Sequence, residues 1–220
     1  FKKLTHKAYL DGSNIYHSPY VIAYWGEKHG LTSIADLYRD GRQGEDPVMT
    51  YQRHYGISQQ RFNDEMIDCY QRLVNLDYRH AYKETRRYAC QFATPMEAAG
   101  SGWSPKKEFT PEDYGFNAIR LTGCQSGKKV VATVAASDQA LRQGGLRYGL
   151  VAVTAAGKAV YGKPVAHGGA SLKMPAEPLK AVYLVVMGAP AKHQRLSWDE
   201  KRPNRQYPYT VAFNKGVRPE

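Results

Sequence analysis

The pattern of the chain changes near residue 100, and this change constrains its fold more than any other feature. The first hundred residues are rich in tyrosine and helix-capping signals, and they hold 13 Lys and Arg against 12 Asp and Glu. The remaining 120 form short segments rich in Ala, Val and Gly, with 18 Lys and Arg against 8 Asp and Glu. The sequence therefore predicts an α+β fold: an N-terminal helical subdomain (1–97), a linker (98–113) and an antiparallel β-sandwich (114–220).

Capping signals predict four helices in the first half. These signals are Ser18-Pro19, the capping-box-like pair Ser33 and Asp36, Asp46-Pro47, and Ser58. A cap residue followed by proline is typical of a helix start, since proline fixes φ where its missing N–H has no partner anyway. The fourth helix is expected to span 59–89, because apolar residues from Phe62 onward recur every three or four positions.

Seven strands are predicted in the second half, where the hydrophobic period becomes two. They cover 115–122, 128–136, 146–154, 158–162, 169–174, 180–187 and 207–213, with Gly-containing turns between them. Short strands at this spacing are typical of an antiparallel β-sandwich. Residues 181–187 are apolar without alternation, which predicts a central strand covered on both faces.

Composition argues against a membrane-spanning helix and leaves the pairing of two cysteines open. The longest apolar run, Ala181 to Met187, is far shorter than the roughly 20 residues of a membrane-spanning helix. The cysteines lack metal-type spacing; Cys69 is expected on a buried helix face, whereas Cys90 and Cys124 could form a disulfide or remain free thiols. A chain that begins at Phe1 is expected to be a processed or shortened product, and whether Phe1 marks a cleavage site stays open.

No complete catalytic motif is present in the sequence. It contains no paired-histidine zinc helix, no Gly-rich phosphate loop and no nucleophile elbow, so no catalytic residue, metal ligand or cofactor is assigned to this chain. Glu27 and His29 are two residues apart on a predicted helix. Because i and i+2 lie on different helix faces, this pair is not expected to share a metal ion.

The segment from His193 to Tyr209 is the richest in side chains typical of binding sites. We take His193, Trp198, Asp199 and Asn204 as candidate ligand-binding residues. A tryptophan ring beside acidic and amide groups is typical of a sugar-binding surface, since the ring stacks on the sugar while polar groups bind its hydroxyls. The alternative is a long loop held by one buried Trp198, with Asp199 and Asn204 bonded to the backbone.

The positive charge of the second half predicts attraction to anionic partners. Its lysines and arginines are spread over strands and turns, so residues 114–220 are expected to bind an anionic glycan or a cell surface in a salt-sensitive way. Specific nucleic-acid binding is not expected, because no nucleic-acid module is present and aromatic residues do not alternate with the basic ones. The sequence does not determine the oligomeric state.

An ordered set of short strings resembles the Svx/AvrXca-type family of secreted bacterial virulence- and avirulence-like proteins. In the first half the strings are Tyr20 to Lys28, Asp46-Pro47, Thr50 to Arg53 and Phe62 to Met66. In the second half they are Tyr114 to Asn117, Arg147 to Gly149, Val185 to Pro190 with His193, Trp198-Asp199 and Tyr207 to Tyr209. They occur in the expected order over most of the chain.

This resemblance implies a C-terminal portion of a secreted, zincin-like metallopeptidase that lacks the zinc motif. Residues 1–97 would then be the lower, helical part of the peptidase domain, and the β-half an accessory domain. Zinc would be held only by a longer parent protein, and this chain would act as a scaffold, with carbohydrate or cell-surface binding and a purely structural interaction domain as alternatives. The resemblance also implies a secreted, cell-surface or periplasmic location.

Overall fold

A computed structural model describes residues 3–12, 18–79, 83–195 and 204–220, with the side chains of residues 18, 19, 83 and 84 left out. The first half of the chain is helical. Its helices are α1 (Ser18–His29), α2 (Thr32–Asp40), α3 (Pro47–His54), α4 (Gln59–Leu73) and the single-turn α5 (Lys83–Arg86). A sixth helix, α6 (Asp138–Gln143), lies between strands of the second half.

The caps predicted for α3 and α4 are confirmed. Asp46 accepts a hydrogen bond from the backbone N–H of Met49 at 3.0 Å, and Pro47 occupies the first position of α3. Ser58 accepts from the N–H of Arg61 at 3.2 Å. These side chains satisfy donors that the first helical turn leaves without partners. In α2, by contrast, Ser33 lies inside the helix and the N-cap is Leu31, which makes no side-chain cap bond.

The prediction of one helix over 59–89 is wrong, because α4 ends at Leu73. Leu76 has a positive φ of 50°, which turns the chain out of the helix. The turn returns Tyr78 to the side of α4, where its hydroxyl donates to the carbonyl oxygen of Cys69 at 2.8 Å. Leu76 and Tyr78 are both buried, so the reversal places two large side chains in the core.

The second half forms two five-stranded antiparallel sheets, which confirms the predicted α+β fold. The strands are β1 (Met96–Ala99), β2 (Gly102–Pro105), β3 (Phe116–Thr122), β4 (Lys129–Ala136), β5 (Leu146–Thr154), β6 (Ala159–Tyr161), β7 (Gly169–Lys173), β8 (Leu179–Gly188), β9 (Tyr209–Phe213) and β10 (Arg218–Pro219). The first sheet has the order β1-β2-β9-β4-β7, and the second has the order β10-β3-β8-β5-β6.

Residues 98–113, predicted as a linker, instead contribute to the first sheet. β1 and β2 form a hairpin, with Met96 opposite Pro105 and Ala99 opposite Gly102. Trp103 then pairs with Val211 of β9 and packs against the core between the sheets. The signal was missed because these strands are short and their partner lies far along the chain.

The strand β8 is buried on both faces, as predicted. Tyr183, Val185 and Met187 point into the core shared with the helices. Val182 and Val186 alternate with them and point into the core between the two sheets. The molecule is therefore layered, with the helices on one face of the second sheet and the first sheet on the other.

Contacts between α4 and the second sheet are both aromatic and polar. Tyr70 stacks on Phe116 of β3 with ring centroids 4.2 Å apart. Gln71 donates to the carbonyl oxygens of Leu150 at 3.1 Å and Gly162 at 3.0 Å. Gly149 leaves room for this amide, since a Cβ there would lie 2.6 Å from Gln71 Nε2. The two halves of the chain thus share the core between the helices and the second sheet.

The three cysteines, all within the described residues, are free thiols. Cys69 is fully buried on α4, as predicted. The Cys90 thiol donates to Asn75 Oδ1 at 3.4 Å and forms no disulfide with Cys124. No helix in the described part of the chain is long and apolar enough to span a membrane.

Candidate functional site

His193 lies in a buried polar cluster between the helices and the loop after β8. Its Nε2 is 2.6 Å from Asp46 Oδ2, and its Nδ1 is 3.2 Å from the Tyr114 hydroxyl. Its backbone N–H donates to Gln59 Oε1 at 2.9 Å. The side chains of His193 and Asp46 are each 7% exposed.

The elements that meet here explain why this cluster forms. Asp46 is also the N-cap of α3, and Gln59 is the first residue of α4. Gln59 Nε2 donates to the Tyr114 hydroxyl at 3.1 Å, and burial raises the pKa of Tyr114 above its ordinary value of 10.0. Both ring nitrogens of His193 are therefore occupied by internal partners, and the cluster fastens the C-terminal loop to the helical layer.

Asn204 belongs to a second, separate cluster. Its amide donates to Asp11 Oδ2 and Glu112 Oε2, both at 2.8 Å. Glu112 is 4% exposed, accepts the N–H of Ala8 at 2.9 Å and pairs with Lys7 at 3.0 Å. These contacts attach the chain after residue 203 to the N-terminal segment.

The residues that follow continue this attachment. Arg205 pairs with Asp113, with Nη2 and Oδ2 2.5 Å apart, and the Tyr207 hydroxyl donates to Asp113 Oδ1 at 2.6 Å. The Tyr209 hydroxyl donates to Asn117 Oδ1 at 2.8 Å. Burial, with the neighbouring Asp113 carboxylate, raises the pKa of Tyr207 well above its ordinary value.

His193 and Asn204, the two candidate residues that the structure describes, thus lie in different polar clusters. No described contact joins His193 to Asn204, and each is bonded to internal carboxylates. Trp198 and Asp199 lie outside the described residues. The predicted sugar-binding surface around Trp198 stays a prediction.

Glu65 of α4 is a third buried carboxylate, and neighbouring side chains compensate its charge. It accepts from the Tyr51 hydroxyl at 2.8 Å and pairs with Lys28 at 2.9 Å and Arg61 at 3.0 Å. Burial alone would raise the pKa of Glu65, but these three partners outweigh it and hold the pKa below its ordinary value of 4.5. His29 contacts the same Tyr51 hydroxyl at 2.8 Å.

Within residues 3–12, 18–79, 83–195 and 204–220, no three His, Cys, Asp or Glu side chains lie close enough together to hold a metal ion.

A different surface feature lies at one end of the sandwich, where the β3–β4 turn meets the β9–β10 turn. A cavity of about 430 Å³ is lined by Gly123, Cys124, Gln125, Lys128, Lys129, Val130, Asn214, Lys215, Gly216 and Val217. An adjoining cavity of about 380 Å³ is lined by Thr122, Gly123, Gly216, Val217 and Arg218. We call the two cavities together the end cleft.

Close packing of the two turns builds the end cleft. Gly123 has a positive φ of 77°, and a Cβ on it would lie 1.9 Å from the carbonyl oxygen of Gly216. Only glycine permits this approach without displacing the backbone. Asn214 anchors the β9–β10 turn to β4, since its Oδ1 accepts from the N–H of Val131 at 2.9 Å and its Nδ2 donates to the Lys129 carbonyl oxygen at 3.2 Å.

The cations of the end cleft lack internal partners. Among the described residues, Lys128, Lys129, Lys215 and Arg218 form no ion pair, and the lining residues include no Asp or Glu. Lys129 also lies directly opposite Lys173 across β4 and β7, an arrangement of like charges that destabilises a sheet.

Other arginines of the second half are neutralised within the fold. Arg120 pairs with Glu220 at 2.7 Å, and Arg147 pairs with Asp64 at 2.7 Å. Arg205 is held by Asp113 in the second buried cluster. The end cleft, by contrast, brings four cations together around two adjoining cavities whose lining contains no carboxylate.

Cys124 does not add a reactive group to the end cleft. Burial raises the pKa of its thiol from 9.0 to about 11, so it remains protonated at neutral pH.

The end cleft was not identified from the sequence, although a signal exists. Two segments each combine glycine with two cations: Ser126-Gly127-Lys128-Lys129, at the start of a predicted strand, and Asn214-Lys215-Gly216-Val217-Arg218, beyond the last predicted strand. What the sequence does not contain is the meeting of the two turns, which depends on the packing of β4, β9 and β10.

The chain belongs to DUF6055, a family of unknown function, whose model matches residues 1–219. No curated protein and no solved structure matches the chain. The family match therefore covers both the helical layer and the two sheets, and it assigns no activity to either.

Proposed function

We propose that this chain is a non-catalytic binding module that attaches to an acidic polysaccharide through the end cleft. The observation that carries this proposal is a cluster of four cations around two adjoining cavities with no carboxylate in the lining. None of the four forms an ion pair with another residue that the structure describes. This proposal develops the expectation that residues 114–220 bind an anionic glycan or a cell surface.

Electrostatics favour an anionic partner at this position. Cations held near one another on packed turns repel each other, and a bound carboxylate or sulfate group relieves that repulsion. Because the groups are exposed, each contact contributes about 0.2–1 kcal/mol and weakens as salt rises. Affinity thus depends on several contacts made together, which a polymer supplies.

The remainder of the molecule serves as a scaffold for the end cleft. β3, β4 and β9 carry the turns, and β3 is packed against α4 through the stacked pair Phe116 and Tyr70. A binding surface on a rigid framework loses less conformational entropy when the ligand binds than one on loose loops.

A matched pair of charge variants tests the proposal. One variant carries Lys128→Gln, Lys129→Gln and Lys215→Gln, and the control carries the same change at the exposed Lys106, Lys107 and Lys158. Both lower the net charge equally, so long-range attraction falls by a similar amount in each.

The probes are heparin and polygalacturonate, measured by calorimetry or biolayer interferometry at two salt concentrations. We expect the cleft variant to lose about 3- to 150-fold in affinity, the sum of three exposed contacts, and the control to lose much less. Equal losses in the two variants would show that only net charge matters and would overturn the proposal.

Membership in a secreted, peptidase-like protein is a separate proposal. It rests on the ordered strings that resemble the Svx/AvrXca-type family, from Tyr20 to Lys28 through Tyr207 to Tyr209. A longer protein with a zinc motif before Phe1 is expected to bind zinc and cleave protein, whereas the 220-residue chain is expected to bind none. Stoichiometric zinc in the 220-residue chain, measured by elemental analysis, would contradict this expectation.

Sugar binding at Trp198 also remains a proposal, distinct from the end cleft. A glycan array with Trp198→Ala as the comparison variant separates the two. Loss of neutral-glycan signals in Trp198→Ala supports this second surface, and the absence of such signals in the parent chain counts against it.

A further inference from the structure

The end cleft is divided into two cavities, and this division bears on the kind of ligand that fits it. The cavities share Gly123, Gly216 and Val217, and we call these three shared residues the ridge. Each cavity also has its own cations. Lys128, Lys129 and Lys215 line the larger one, whereas Arg218 lines the smaller one.

The ridge carries little side-chain bulk. Gly123 and Gly216 have no side chains, and both have positive φ angles, 77° and 88°. Val217 packs partly against the core between the sheets. A ligand can therefore cross the ridge close to the backbone, from the lysines to Arg218.

The backbone of Arg218 is held in β10, beside the ridge. It pairs with Thr122 in the register of β10 and β3, and the Thr122 hydroxyl donates to its carbonyl oxygen at 3.4 Å. The next residue, Pro219, is buried, so Arg218 lies on the exposed side of a short edge strand. A guanidinium group binds a carboxylate or sulfate through two parallel hydrogen bonds, whereas a lysine acts as a point charge.

We propose that the end cleft has two anion subsites and selects a linear acidic polysaccharide whose charged groups on neighbouring sugars occupy both at once. The inference rests on the proposed function and specifies its ligand. One anionic group binds among the lysines of the larger cavity, the backbone of the polymer crosses the Gly123–Gly216 ridge, and a second anionic group binds Arg218.

Two linked subsites predict a dependence on ligand length. A ligand with one anionic group fills one subsite, whereas a longer ligand gains the second contact without a second loss of translational freedom. We expect affinity per oligosaccharide to rise at least about 10-fold between galacturonic acid and its tetramer, and to rise little beyond the length that fills both subsites.

The decisive experiment combines ligand length with Arg218→Gln. For the tetramer, Arg218→Gln is expected to lower affinity about 2- to 10-fold, the effect of one exposed charge-assisted contact. For the monomer, which favours the three-lysine cavity, it is expected to change affinity less than 2-fold. Arg142→Gln on α6, an exposed cation outside the end cleft, is the matched control and is expected to change neither affinity.

Several results would overturn the inference. Equal losses for monomer and tetramer in Arg218→Gln would mean that the cations form one subsite. Unchanged tetramer binding would mean that Arg218 is not used. After either result, polymer binding that still depends on the lysines would support the proposed function without the two subsites. If the parent chain bound no acidic polymer, the proposed function and this inference would both be wrong. Tighter binding of single-stranded DNA than of the tetramer or of long polygalacturonate at the same salt would overturn the polysaccharide assignment.

Discussion

The shared core predicts that the helical layer and the sandwich unfold together, and two substitutions on one strand test this. Val185 and Val182 lie three residues apart on β8, and Val185 faces the helices whereas Val182 faces the other sheet. They are 0% and 2% exposed. Replacing either by alanine removes two buried methyl groups, a loss of about 1.6 kcal/mol in transfer free energy.

The cavity left behind increases the loss. We expect each variant to be about 2–3 kcal/mol less stable, which corresponds to roughly 4–12 °C in Tm for a chain of this size. Because both valines stabilise the same strand, the two variants are expected to weaken both layers equally. Val185→Asp, which would bury an unpaired charge, is expected to prevent folding.

The assay is native-state hydrogen exchange read by mass spectrometry on peptides from α4 and β4. In a single cooperative unit, the slowest amides of both peptides lose protection by the same free energy in both variants. If Val185→Ala lowered protection only in α4, and Val182→Ala only in β4, the layers would be independent and the reasoning from a shared core would be refuted.

Three further predictions concern individual residues. Gly123→Ala is expected to lower the free energy of unfolding by about 2–4 kcal/mol, because Gly123 combines a positive φ with a close backbone contact. Gly127 also has a positive φ but has open space around it, so Gly127→Ala should lower the free energy of unfolding by about 1 kcal/mol. Equal denaturant midpoints for the two variants would contradict this expectation. His193→Ala is expected to destabilise by about 1–3 kcal/mol, since it removes the contact between the imidazole and the buried Asp46 carboxylate. A denaturant midpoint within error of the parent would contradict the fastening role. The pKa of Glu65 is lowered in the folded state, so the stabilisation that ionised Glu65 provides is present above pH 4.5 and is lost as pH falls through the folded pKa. Glu65→Gln should therefore reduce the loss of stability at acid pH. An unchanged pH dependence in this variant would show that other groups cause the loss.

The features that were predicted correctly are those determined by residues close together in the sequence. Asp46 and Ser58 were identified as caps because a cap acts within three residues of its own position. The burial of β8 on both faces was evident from the absence of alternation in residues 181–187. Neither inference needed knowledge of distant contacts.

Features that depend on distant contacts were missed. The end of α4 depends on Leu76, which adopts a positive φ so that Tyr78 can return to Cys69. The hairpin of β1 and β2 is completed by Val211, which lies more than a hundred residues further along the chain. Sequence alone also placed His193 in a binding surface, whereas its ring nitrogens contact Asp46 and Tyr114 inside the fold.

The end cleft shows the same limit. Its cations come from turns that are far apart in the sequence and meet only because Gly123 and Gly216 come into contact. The excess charge of the second half was visible from composition, but the pairing of Arg120, Arg147 and Arg205 with carboxylates was not.

The most direct measurement is a titration of the isotope-labelled chain with a defined acidic oligosaccharide, followed by ¹H–¹⁵N chemical shifts. The account predicts that the largest changes fall on the two turns, residues 123–129 and 214–218, and that they diminish as salt is raised. Changes concentrated around residues 193–209, with the two turns unaffected at saturation, would contradict it.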